Sequence, residues 1–348
     1  MKISHYIFAC FSFILFSCNS GNEEPTDNPS EKNFGLQKVD QMNFSTTAIK
    51  SIAIDSLSDV WVGTESGLYM LKDDVWYQHP NFSSSSINSL VASSNEILIA
   101  TGNGAYTLTL SNDRYNLTDS VTYELIGGTS NEMTAYAYGI FDKKWLGSSD
   151  GLAFFDGTNW KRNEEIKNNL GGISSISCMA FRSKDCFFGT YGKYLYHISY
   201  QSKLSVDAIS GASQMLGGAE DAESNFNGEL TSDTIFCVFA GSNGSIWFGS
   251  TLGLTRNKGN TNSYDGEYEY YLRGQRVHSV IETADNKIWA GTENGLECRI
   301  GSDWLHYDIT NGLPDNVISS LASDNDLSIW VGTNKGLSHF ADGVFINY

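Results

Sequence analysis

The sequence predicts an all-β fold, a seven-bladed β-propeller of four-stranded antiparallel blades, and three observations carry that expectation. One eight-residue pattern, aromatic-x-Gly-Thr-x-x-Gly-Leu, recurs seven times along the 348 residues. Successive copies begin 37, 47, 42, 60, 42 and 41 residues apart, which is the spacing of a four-stranded blade and not of a helical solenoid. All eight tryptophans fall at two positions of the repeat, as expected of side chains that fill the space between neighbouring sheets.

The copies occupy 61–68, 98–105, 145–152, 187–194, 247–254, 289–296 and 330–337. In each repeat the β-like run before the motif is read as the inner strand, and the aromatic-x-Gly-Thr segment as the second. Gly-Leu opens the third strand, and a later aromatic-rich run such as Asp303-Trp304-Leu305-His306-Tyr307 forms the outer one. The two glycines of each copy are expected to supply positive φ for a tight turn between the second and third strands. A motif repeated seven times is scaffold, since catalytic residues would not recur in every blade.

Two copies in full are Trp289-Ala290-Gly291-Thr292-Glu293-Asn294-Gly295-Leu296 and Trp330-Val331-Gly332-Thr333-Asn334-Lys335-Gly336-Leu337. They resemble the two-component regulator propeller repeat, and the resemblance covers 34–348. It implies the propeller fold and a ligand-sensing role, often toward glycan fragments. The family's paired propellers, kinase core and regulator domain have no counterpart here, so the expectation is a free-standing sensor-type module. The chain runs out in the outer strand of the seventh blade, and the segment 36–42 is expected to pack on that last blade and close the ring.

Residues 1–17 carry Lys2 and then an apolar run from Ile7 to Phe16, about the length of a signal-peptide core and too short to span a bilayer. The run ends in Leu15-Phe16-Ser17-Cys18, which resembles the lipobox of bacterial lipoproteins and implies lipidation of Cys18. Residues 18–33 are polar, acidic and hold two of the four prolines, the composition of a flexible tether. Asn19 lacks the charge that retains lipoproteins at the inner membrane, and Glu23-Glu24 resembles a surface-export signal. The implied location is the outer membrane, on its cell-surface or its periplasmic face, with the membrane reached through the lipid on Cys18.

Forty acidic side chains against 22 basic ones give a formal charge of −18, which disfavours nucleic acid as a partner. Cys178, Cys186, Cys237 and Cys298 show no metal-type spacing and no shared, facing repeat positions, so they are read as small buried hydrophobes without a disulfide. No phosphate loop or zinc motif occurs. Neither cofactor nor metal is expected, and no catalytic constellation is legible. Propellers of this size are stable alone, so a monomer is expected.

Turns between second and third strands share a face with the connections into the next inner strand, and their variable residues are the candidate ligand-binding set. These are Glu65, Asn103, Asp150, Tyr191, Glu293 and Lys335, joined by His278, the one histidine read on an inner strand. Tyr191 as an aromatic platform beside amides and carboxylates suits carbohydrate. Two stretches, 205–232 and 111–132, break the period and are read as insertions on the same face, the second, with Tyr115 and Tyr123, also fitting outer-strand packing. The first is acidic, with Asp207, Glu220, Asp221, Glu223 and Glu229, and is read as a solvated loop, with a lid or partner-binding loop as the alternative. The expected function is a non-enzymatic ligand-binding or sensor-type module in the envelope, with glycans as the candidate ligand class. The alternatives are an interaction scaffold in an outer-membrane complex and a propeller polysaccharide lyase or hydrolase.

Overall fold

Each repeat folds into one antiparallel sheet whose strands lie side by side in chain order, because tight turns can join only neighbours. The computed structural model describes residues 36–40, 42–45, 47–112, 114–122, 130–139, 143–162, 175–182, 185–191, 195–200, 209–216, 234–258 and 268–348. Cys18, the leader and the tether lie outside them. The inner strands are Ile49–Ile54, Ile87–Ala92, Met133–Tyr138, Ile176–Arg182, Ile235–Ala240, Val277–Glu282 and Ile318–Ser323. Each touches the inner strand of the sheet before and after it, and the last touches the first. The molecule is therefore a closed β-propeller.

The sheets are not uniform. Six have four strands and the first has five, which corrects the expectation of seven four-stranded blades. The extra strand, Gln37–Val39, pairs with the outer strand Val75–Gln78 of the first sheet, with Lys38 opposite Tyr77. The N-terminal segment thus adds no strand to the last sheet, which completes itself with Val344–Asn347. It still serves closure through side chains, because Val39, Met42 and Phe44 pack in one cluster with Trp76, Trp330, Leu337 and Tyr348.

Aromatic side chains of the second strands fill the gaps between sheets, as the repeat predicts. Trp61, Trp145, Trp247, Trp289 and Trp330 are all buried. Trp61 meets Tyr115 of the second sheet edge-on at 4.7 Å, and Trp289 meets Phe340 of the seventh at 5.5 Å. Tyr115 also donates its hydroxyl proton to buried Asp55, which accepts from the Trp61 indole N–H at 3.1 Å. One polar clasp thereby ties the first two sheets together.

The two motif glycines have different duties. The second takes positive φ at Gly104, Gly151, Gly253, Gly295 and Gly336, though not at Gly67. The first does not, and what it supplies is room. A Cβ on Gly63 would lie 2.5 Å from Ile87 Cγ2, and one on Gly332 2.6 Å from Ile49 Cγ2. In both cases the neighbour is the first residue of the next inner strand.

The stretches that break the period are also partly sheet. Arg114–Val121 is the outer strand of the second sheet and Ile209–Leu216 that of the fourth. The acidic residues named above for 205–232 lie outside the described residues. Cys178 and Cys237 occupy the same position in adjacent sheets, opposite Gly189 and Gly249, so they do share a repeat position. Both are free thiols, pushed up by burial, Cys178 to about 11.

Candidate functional site at the channel rim

The motif Thr or Ser stitches its own turn. Thr64 Oγ1 donates to the Gly67 carbonyl at 3.1 Å and accepts from the Ser66 N–H at 3.1 Å. The same pair of bonds recurs at Thr101, Ser148, Ser250, Thr292 and Thr333. These hydroxyls are committed to the scaffold and leave the turn residues to vary.

The first turn residue then ties the turn to the chain entering the inner strand. Tyr191 N–H donates to Ser175 O at 3.1 Å, Glu293 N–H to Arg276 O at 3.1 Å and Asn334 N–H to Val317 O at 3.3 Å. Turns and entering connections therefore lie side by side at one end of the ring. Because each inner strand starts at this end, its first residues form the rim of the central channel.

At that rim every inner strand carries the same irregularity. The pairing register skips the second residue: Lys50, Asn88, Thr134, Ser177, Phe236, His278 and Ser319. A bulged residue is left without a cross-strand partner and is re-aimed by the local bend. All seven are half-buried and each follows a buried residue. Several reach to the neighbouring sheet. Asn88 Nδ2 donates to Met133 O at 2.8 Å, and the Thr134, Ser177 and Ser319 hydroxyls donate to the carbonyls of Ile176, Ile235 and Ile49. In each case the acceptor is the first residue of the next inner strand. Lys50 Nζ reaches Ser86 Oγ at 2.9 Å and Asn88 Oδ1 at 2.7 Å, and the Phe236 ring packs on His278 with centroids 4.9 Å apart.

The structure divides the candidate residues accordingly. His278 lies on the rim, where burial lowers its pKa while Glu293 raises it and Arg276 lowers it further. Glu293 meets Arg276 at 3.8 Å, both substantially exposed, so His278, Glu293 and Arg276 form one group. Tyr191 is 47% exposed on the same face. Burial raises its hydroxyl pKa, with Cys178 and Glu132 adding to the effect. Glu65 is an exposed first turn residue. Asn103, Asp150 and Lys335 are second turn residues, whose N–H groups fold back on Thr101, Ser148 and Thr333. Lys335 is spent on an ion pair with Asp315 at 2.9 Å.

Lys50, Ser86, Asn88 and Phe236 did not emerge from the sequence. Their one signal is positional, being beside or at the second residue of an inner strand. Among the described residues, no group of three or more His, Cys, Asp or Glu side chains could hold a metal ion.

No family model and no curated protein matches the sequence. Solved structures do match. The extracellular domain of a putative hybrid two component system from B. thetaiotaomicron aligns over 87% of this chain with a TM-score of 0.66 and 18% identity. A second such domain from the same organism aligns over 85% with a TM-score of 0.64 and 16% identity. These likenesses show the fold. The chain spans about 40% of the length of those domains. A catalytically inactive virginiamycin B lyase from Staphylococcus aureus, with quinupristin, aligns over 87% of this chain and 98% of its own, with a TM-score of 0.65 and 13% identity.

Proposed function

We propose that the protein is an exported binding module of the sensor type, held to the outer membrane through Cys18, which captures a glycan fragment over the channel rim. The observation that carries the reading is the split between fixed and variable chemistry at one end of the ring. Scaffold bonds there repeat from sheet to sheet, whereas no two sheets carry the same pair of rim and first turn residues, and these bring Tyr191, Glu293, His278 and Phe236 to one face. A rigid frame presenting varied side chains suits recognition. An aromatic face beside carboxylate and amide groups suits a sugar, which is apolar on its faces and hydroxylated at its edges. The fold shared with extracellular domains of two component systems supports the sensor reading and export.

The test is a glycan array followed by thermal shift on residues 34–348, which form one compact unit. Saturable binding, weakened about tenfold or more in Tyr191→Ala and Glu293→Ala, is the expected result. Binding that both variants leave intact would remove the site from this face. Binding of an envelope protein with no sugar response would replace glycan capture with a scaffold role.

A further inference from the structure

We propose that Lys50 forms an anion subsite on the channel rim that takes the carboxylate of an acidic sugar, an inference that rests on the binding-module reading above. The first observation is the state of its ammonium. An ammonium has three N–H donors. Two are used, on Ser86 Oγ and Asn88 Oδ1, and both partners are neutral. No carboxylate meets Lys50 among the described residues, although acids outnumber bases 40 to 22 in the chain. Several other basic side chains have found acids: Lys72 pairs with Asp59, Lys144 with Glu96, Lys258 with Glu269 and Lys335 with Asp315.

The second observation is pre-organisation. Asn88 donates its amide N–H to Met133 O, which fixes the amide so that Oδ1 faces Lys50. The ammonium is thus held in one place by a side chain that is itself held, leaving one donor uncommitted. The third is the composition of the rim. None of its seven bulged residues is acidic, and Lys50 is its one fixed cation. An incoming anion meets an oriented donor whose protein partners are both neutral, and at physiological salt the wider charge of −18 is screened beyond about 8 Å.

One ammonium with one open N–H matches a monovalent, singly coordinated oxyanion. A phosphate dianion would call for more than one cation. Within a site whose aromatic and polar groups suit a sugar, that anion is the carboxylate of a uronic acid.

The test compares trigalacturonic acid with its fully methyl-esterified form, which keeps the sugar and removes the charge, against the wild-type chain, Lys50→Gln and Lys50→Arg by calorimetry. In parallel, lysine-labelled protein is titrated with sodium acetate while the Lys50 NMR signal, assigned from Lys50→Gln, is followed. The free acid should bind at least about tenfold more tightly than the ester, with that preference lost in Lys50→Gln and largely kept in Lys50→Arg. The Lys50 signal should move saturably with acetate and not with equal sodium chloride. Equal binding of acid and ester, unchanged in Lys50→Gln, would overturn the subsite and leave the binding module standing. A saturable acetate response with no binding of either oligosaccharide would keep the anion subsite and overturn its assignment to a sugar acid. No response in any arm would overturn the subsite outright.

Discussion

Replacing Gly332 by alanine tests whether the first motif glycine is there for room. Its added Cβ would lie 2.6 Å from Ile49 Cγ2 and 2.9 Å from Ile49 Cβ, where carbon atoms normally approach to about 3.5–4.0 Å. Neither partner can retreat easily, because Ile49 is fully buried and its carbonyl accepts from Ser319. Overpacking of this size costs about 1–3 kcal/mol. Losing a glycine from the unfolded chain returns about 0.5–1 kcal/mol. The net expectation is a destabilisation of about 1–2 kcal/mol, read as a lower urea midpoint by tryptophan fluorescence. Gly102→Ala is the control, since nothing lies within 4 Å of its added carbon, and it should be as stable as wild type or up to about 1 kcal/mol more stable. Ile49→Ala alone should cost about 2–5 kcal/mol as a cavity. The double variant should cost less than the sum by about 1 kcal/mol or more, since each change relieves the other. Strict additivity, or a Gly332→Ala protein as stable as Gly102→Ala, would refute the reasoning.

Three further outcomes follow from the same structure. Tyr115→Phe leaves Asp55 one hydrogen bond short in a buried place, which should cost about 1–3 kcal/mol, measured by urea unfolding. Thr333→Val removes both bonds that stitch its turn and should cost about 1–2 kcal/mol, while Thr333→Ser should stay near wild type. Burial lowers the His79 pKa to about 4, and its ring is packed on Phe82 with Nδ1 unpaired. The unfolded chain therefore binds the proton more tightly than the folded one. Stability should be complete above about pH 6.5 and should fall, by about 1.4 kcal/mol per unit, as pH drops toward 4. His79→Gln should flatten that slope in melting temperature measured from pH 7 to 4.

The second and third strands were legible because Gly-Thr-x-x-Gly is a local signal: a hydroxyl that closes its own turn, and a glycine with φ near +134 at Gly336. Ring closure was not. Gln37–Val39 is three residues long and pairs with Val75–Gln78, and so short a strand carries no period to say which outer strand it will meet. Ile209–Leu216 escaped notice for a related reason, since Ser210, Gly211, Ser213 and Gln214 dilute its apolar alternation. The candidate site was read from the turns because they punctuate the repeat. The rim was hidden because its seven residues share a backbone irregularity and no single residue type. Only His278 among them was singled out, and on its residue type.

The one departure from the glycine rule argues for the packing explanation. In six sheets the motif glycine faces a β-branched residue at the head of the next inner strand: Ile87, Ile176, Ile235, Val277, Ile318 and Ile49. In the second sheet that glycine is Ala100, and the corresponding residue of the third is Met133. Both are fully buried in one cluster. Methionine has no branch at Cβ and can bend around an added methyl, whereas isoleucine and valine cannot. Had the glycine been needed for backbone conformation, alanine at that position would call for a change in the turn and not in the next sheet. The first residue of each inner strand is thereby bound by packing to its neighbour, while the second, released by the bulge, is free to differ. Recognition chemistry can vary at Lys50, Phe236 and His278, whereas Asn88, Thr134, Ser177 and Ser319 also bond the first residue of the next inner strand.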